Sequence, residues 1–186
     1  MTTATTAIPG YLAGTWDIDP VHSEVSFTVR HMMVSKVRGR FAVFTGEIVT
    51  GDEVTDSSVT ASIDVASVDT GNEYRDADLR SARFLDVANH PTWTFQSTSV
   101  RADGADLVVD GELTIKGVTR RVPLAVEVNG SGPDTSGGTR IGFSASTTVD
   151  RNDFGVDIKL PLDGGGVVVS DKVQISLEIE AVLRQE

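Results

Sequence analysis

Few residues of this chain are arranged for covalent chemistry. The three histidines, His22, His31 and His90, lie far apart in sequence and match no metal-ligand spacing such as H-E-x-x-H. Cysteine is absent, which excludes disulfides, thiolate metal sites and a thiol nucleophile. No G-x-S-x-G, Walker loop or dinucleotide fingerprint occurs, and Gly164-Gly165-Gly166 lacks the lysine and following helix that a phosphate loop needs. No catalytic residue, metal or cofactor is therefore assigned. An enzyme would have to declare itself by a stoichiometric metal.

The residues suited to recognition are cationic and apolar. Arg30, Lys36, Arg38 and Arg40 fall within the segment RHMMVSKVRGR of an otherwise acidic protein. Such cations suit a phosphate or a quinone oxygen, and Met32 and Met33 offer a soft, adaptable entrance. Charges that protect a hairpin edge would look the same. His31 keeps the parity of Val25, Phe27 and Val29 and is expected to point inward, where a head group or a core partner would satisfy it.

The elements that position these residues are strands. From Val21 to His31, residues of one parity (Val21, Ser23, Val25, Phe27, Val29, His31) are set against His22, Glu24, Ser26, Thr28 and Arg30. Residues 37–50 are aromatic and β-branched around Phe41, Val43, Phe44, Ile48 and Val49, strand restarts after His90-Pro91 with Trp93 and Phe95 on one face, and alternation recurs over 58–68, 107–115, 122–128, 141–149 and 173–181. Asp103-Gly104 and Lys116-Gly117 mark hairpin turns, and NGSGPDTSGG (129–138) reads as a flexible loop. The charge-rich stretch 71–88 breaks the pattern. It reads as a short helical insertion with Tyr74, Leu79, Phe84 and Leu85 buried and with Arg75, Asp76 and Arg80 paired with one another. Residues 150–170 are irregular and Gly-rich. About eight strands without crossover helices predict an all-β, antiparallel barrel rather than a parallel sheet.

The chain has 186 residues, a formal charge of −11 and no internal repeat. Residues 1–13 read as a tail and 14–184 as one domain. The negative field disfavours nucleic acid. No run approaches the ~20 apolar residues of a membrane helix. The opening MTTATTAIPGYLAGTW lacks the cationic start and apolar core of a secretory signal, so a cytoplasmic location is expected. An eight-stranded barrel either fills its interior with side chains or holds one ligand. Small inward groups, including Ala61, Gly111, Ala145 and Thr147, fit both a packed taper and a slender apolar guest. A filled barrel acting through a protein partner is the remaining alternative.

The ordered set of motifs resembles the YceI-like family of polyisoprenoid-binding, lipocalin-like proteins. It comprises W-D-I-D-x-x-H-S-x-V-x-F-x-V-R-H (Trp16 to His31), RGRFAVFTG (38–46), VDTG (68–71) with Arg75-Asp76 and Leu79-Arg80-Ser81, GELTIKGVT (111–119), RNDFG (151–155) and Val169-Ser170-Asp171. The chain departs from the family pattern at Asp78-Leu79, where His usually precedes the Leu, and at Phe84-Leu85, where two Phe are usual. The resemblance implies a lipocalin-like barrel with a short helical insertion. Its lumen would hold a long-chain isoprenoid, such as a polyprenyl phosphate or a prenylated quinone, non-covalently and without catalysis. It also implies homodimers, and relatives that are often periplasmic or secreted. The residues expected to line the tunnel are Phe27, Val29, His31, Phe41, Val43, Trp93, Phe95, Leu113, Phe143 and Phe154, with Arg30, Lys36, Arg38 and Arg40 at the head group.

Overall fold

The computed structural model describes residues 8, 10–32, 34–157 and 169–185. Its strands are β1 (Gly14–Ile18), β2 (Glu24–His31), β3 (Ser35–Phe41), β4 (Phe44–Thr50), β5 (Ser58–Asp64), β6 (Val68–Asp69), β7 (Thr92–Asp103), β8 (Asp106–Ile115), β9 (Val118–Pro133), β10 (Thr139–Asp150) and β11 (Lys172–Leu183). One helix, α1 (Glu73–Arg80), lies between β6 and β7.

Six of these segments combine in pairs into long, interrupted strands. β1 and β2 run along opposite halves of β11, through Trp16↔Leu183 to Ile18↔Ala181 and through Glu24↔Glu178 to Thr28↔Gln174. β3 with β4, and β5 with β6, continue one another in the same way. The result is an antiparallel eight-stranded meander closed by the β1–β11 pairing. Closure leaves only the short β6 without a second partner strand, and Arg80 of the insertion covers its carbonyl edge.

The interruptions correct the reading of the sequence. Asp19–Ser23 turn out of the sheet: Asp19 Oδ1 accepts the Val21 amide at 2.9 Å, and Val21 is 82% exposed rather than inward. Ala42 and Val43 likewise lie between strands. That two-residue break resets the pleat, so Phe41 and Phe44 are buried while Val43 is 53% exposed. Val43 therefore does not line the interior. A one-residue shift in phase exchanges the two faces, which is why Val43, nominated with Phe41 on the same parity, faces outward.

Turn chemistry follows local sequence. Lys116 and Gly117 both have positive φ (52° and 76°) and join β8 to β9 in the conformation that matches strand twist. β9 extends to Pro133, and Asp134 Oδ1 accepts the amides of Ser136 and Gly138, so the expected 129–138 loop is a short turn.

The insertion starts at Asn72, whose side chain caps the Arg75 amide at 3.0 Å. Arg75, Asp76 and Arg80 grip the preceding strand instead of each other. Buried Asp76 accepts from the Thr70 amide (2.9 Å) and hydroxyl (2.6 Å). Arg75 donates to Thr70 Oγ1 and O, and Arg80 donates to the Ala66 and Val68 carbonyls. Phe84 and Leu85 are buried as expected, but Tyr74 is 91% exposed because it lies on the opposite side of α1 from Leu79 and Asp76.

Candidate functional site: the barrel lumen

Ten residues of β8 extend ~33 Å, and the usual strand tilt reduces this to a barrel height of roughly 25 Å. Two cavities lie end to end along that height. One, of about 180 Å³, occupies the half nearest the β7–β8 turn. The other, of about 260 Å³, occupies the half beneath the helical insertion. Each falls short of the ~300–1,000 Å³ common for ligand sites. They share Phe27, Phe41, Trp93 and Ile175, however, so they are two chambers of one lumen.

The shared residues form a constriction. The Phe41 ring stands edge-on to Trp93 at 4.8 Å between centroids and lies 5.6 Å from Phe27. Trp93 Nε1 is buried and has no hydrogen-bond partner among the described residues. An unpaired buried donor is costly, which leaves an unmet polar demand at the centre of an apolar channel.

Glycine keeps the channel open beside the constriction. Gly39 faces Phe27 across the β2–β3 ladder, and Gly111 lies under Phe95. A β-carbon at either position would overlap the aromatic ring. The missing side chains allow both rings to lie flat on the barrel wall.

Of the residues nominated from sequence, Phe27, Phe41, Trp93, Phe95, Leu113 and Phe143 line the chamber near the β7–β8 turn. Val29, His31 and Phe154 line the chamber under the insertion, together with Phe27, Phe41 and Trp93. Val43 lines neither. Among the four nominated cations only Arg30 borders the lumen. Lys36, Arg38 and Arg40 pair in register with Arg30, Thr28 and Ser26 on the outer face, and none of the three lines either chamber. The sequence had already assigned Thr28 and Ser26 to that face, and the hairpin register carries the assignment across.

Other lining residues were overlooked. Ile175 and Leu177 contribute from β11, and their strict alternation was the available signal. Arg75 and Arg151 border the insertion-end chamber. Arg151 is committed to structure: its guanidinium donates to the carbonyls of Val156, Val169 and Ser170 and meets Asp171 Oδ1 at 3.3 Å. Arg75 is likewise engaged, donating to Thr70 Oγ1 and O, so Arg30 is the cation best placed for a head group. The opposite end is covered by the N-terminal segment, where Tyr11 donates to the Gly51 carbonyl and Ile8 lines the chamber.

A model of the YceI-like domain matches residues 16–181. This chain belongs to the YceI-like family. Protein YceI of Escherichia coli O17:K52:H18 is 38% identical over 167 residues, covering 89% of this chain and 84% of that protein. The UPF0312 protein of Pseudomonas aeruginosa (strain LESB58) is 37% identical over the same shares. Among solved structures, BcnA of Burkholderia cenocepacia superposes with a TM-score of 0.76 at 25% identity, covering 88% of this chain and 98% of BcnA. A polyisoprenoid binding domain from Saccharophagus degradans has the same fold, with a TM-score of 0.68 at 18% identity over 93% of this chain and all of that one.

Elsewhere on this YceI-like barrel, Asp19, His22 and Glu180 place three potential ligand atoms within 4.8 Å of one another. A cation already bridges the two acids: Arg140 Nη1 lies 2.8 Å from Asp19 Oδ2 and 2.9 Å from Glu180 Oε2, and Arg140 Nε lies 3.2 Å from Asp134 Oδ2. Hydrogen bonds from His22 and then Arg140 hold the Asp19 carboxyl far below the ordinary carboxylate range. A metal would have to displace this arginine, so the cluster is a strap between β1, the β9–β10 turn and β11.

Proposed function

We propose that this protein binds a long-chain isoprenoid amphiphile, a polyprenyl phosphate or a prenylated quinone, inside the barrel, and that it carries or buffers this lipid without transforming it. The observation that carries the reading is the lumen itself: two apolar chambers joined at an aromatic constriction, with Arg30, His31 and Arg75 at one mouth only. Each buried methylene contributes about 0.8 kcal/mol, so a prenyl tail filling both chambers binds tightly without polar contacts along its length. The polar head then stays where cations and water are available. A charged head could not lie at the constriction, because no cation lines it and desolvation would go uncompensated. The polyisoprenoid-binding neighbour of like fold and the family membership support the ligand class.

The test is native mass spectrometry of freshly purified protein, followed by solvent extraction of anything bound. A bound mass of several hundred daltons that extracts as a prenyl lipid is the expected result. A bare polypeptide that also takes up neither added polyprenyl phosphate nor menaquinone would overturn the reading.

A further inference from the structure

Apart from Ser26 and Arg30, the outer-face residues of the β2–β3 hairpin line neither chamber, and the composition of that face is unusual for this molecule. No Asp or Glu occurs between Glu24 and Glu47, although the chain carries 27 acids. Across the ladder the outward pairs are Ser26↔Arg40, Thr28↔Arg38 and Arg30↔Lys36. Arg40 lies 3.6 Å from Asp69. Arg30, Lys36 and Arg38 have no acidic partner among the described residues. At the hairpin tip Val34 is 85% exposed and Met32 42% exposed. The hairpin lies beside the lumen mouth, because Arg30 and His31 border the insertion-end chamber.

The far end is opposite in character. Asp52, Glu53 and Asp56 lie at the β4–β5 connection, and Asp103 and Asp106 flank the β7–β8 turn. The insertion is mixed, with Glu73, Asp78 and Asp86 against Arg75, Arg80 and Arg83. The hairpin therefore sets three cations without an acidic partner among the described residues next to an exposed apolar tip, beside the lumen entrance.

We propose that this hairpin tip docks the protein on an anionic lipid bilayer, with Met32 and Val34 entering the interface and Arg30, Lys36 and Arg38 against the lipid phosphates. Unpaired cations beside an exposed apolar tip match the two layers of a membrane surface, phosphate outside and hydrocarbon beneath. The acidic far end of a chain of net charge −11 is repelled by such a surface while the hairpin cations are attracted to it, which favours the end-on pose. No helix among the described residues is long and apolar enough to cross a membrane, and the proposed docking is peripheral. Docking in this pose places the lumen mouth against the bilayer. The inference takes its purpose from the lipid-binding reading but rests on the hairpin's outer face and tip, which share only Arg30 with the lumen mouth.

The test uses the whole chain and vesicles of phosphatidylcholine with or without phosphatidylglycerol. Wild-type protein is expected to float with the anionic vesicles at low salt and to be released by added salt. Each cation near such a surface is worth about fivefold in partitioning, so Arg30→Glu, Lys36→Glu and Arg38→Glu together are expected to reduce it by at least a hundredfold. Because the chain has no cysteine, Val34→Cys carries a single environment-sensitive fluorophore, and Ala105→Cys at the far end is the control. Brightening at position 34 alone is expected with anionic vesicles. Equal response at both positions, equal binding to neutral vesicles, or full binding by the triple variant would overturn the proposal. If no vesicle is bound while extraction still yields a lumen lipid, the docking inference falls and the lumen reading stands.

Discussion

Gly39 and Gly111 contribute through what they lack. Each faces an aromatic ring that lies flat on the wall, and flat rings leave width for a guest. Gly39→Ala is expected to push the Phe27 ring toward the axis, lowering uptake of a prenyl lipid severalfold. Overpacking of this kind costs about 1–3 kcal/mol, so a titration with lipid and a denaturant melt on the same variant separate the two effects. Retained uptake would show that the ring has another place to go. Trp93 presents the reverse situation, a group the apoprotein does not satisfy. Trp93→Phe keeps the aromatic wall and removes the unpartnered N–H. The ligand-free variant is expected to be as stable as wild type or about 1 kcal/mol more stable, because the unpaired donor is gone. A loss of several kcal/mol in calorimetric unfolding would mean that the N–H is paired in solution.

At the scale of elements, two ties hold the strands and the cover in place. Asp76 is buried and takes both polar hydrogens of Thr70, fastening α1 to the end of β6. Asp76→Ala is expected to cost about 2 kcal/mol locally. It should raise amide hydrogen exchange across 73–80 while leaving β8 and β9 protected, because a cover with few apolar contacts can open without the barrel. The other tie is the Asp19–Arg140–Glu180 strap. Asp19 titrates well below its unfolded value, which lies near ~3.9. A depressed folded pKa gives stability that is complete above about pH 5 and is lost as pH falls through 4 and below. The melting temperature should therefore drop on acidification below pH 4. Arg140→Gln should lower it at neutral pH and flatten part of the acid limb. These ties also mark what the sequence could and could not disclose. Alternation along β8, β10 and β11 displayed the inward faces, because those strands run unbroken. The breaks at Asp19–Ser23 and at Ala42-Val43 were invisible, because they are set by the register of composite strands that pair at different offsets. Hence Phe41 was placed correctly and Val43 was not. The head-group cations were chosen by proximity in sequence, whereas in a hairpin pleat and register decide which face a charge occupies.

At the scale of the whole molecule, the lumen links folding to occupancy. The chambers exist only when β1 meets β11 and the meander is closed, so a lumen ligand binds the folded chain and not the unfolded one. Ligand at a hundred times its dissociation constant stabilises by about 2.7 kcal/mol. For a domain of this size that corresponds to a rise in melting temperature of roughly 5–11 °C. Ala145 lines the chamber near the β7–β8 turn and pairs with Val126 and Leu177, so a large side chain there projects into the channel. Ala145→Trp is expected to fill much of that 180 Å³ chamber. Without lipid, its melting temperature should stay close to that of wild type, because the indole takes up unoccupied apolar space and not a packed core. With a prenyl lipid added, the rise seen for wild type should be lost or sharply reduced. Thermal melts of the two proteins, each with and without lipid, isolate occupancy of the lumen from lipid bound at the surface, since surface lipid would raise both proteins equally. An undiminished rise in the variant would place the ligand outside this chamber and restrict the site to the 260 Å³ space beneath the insertion.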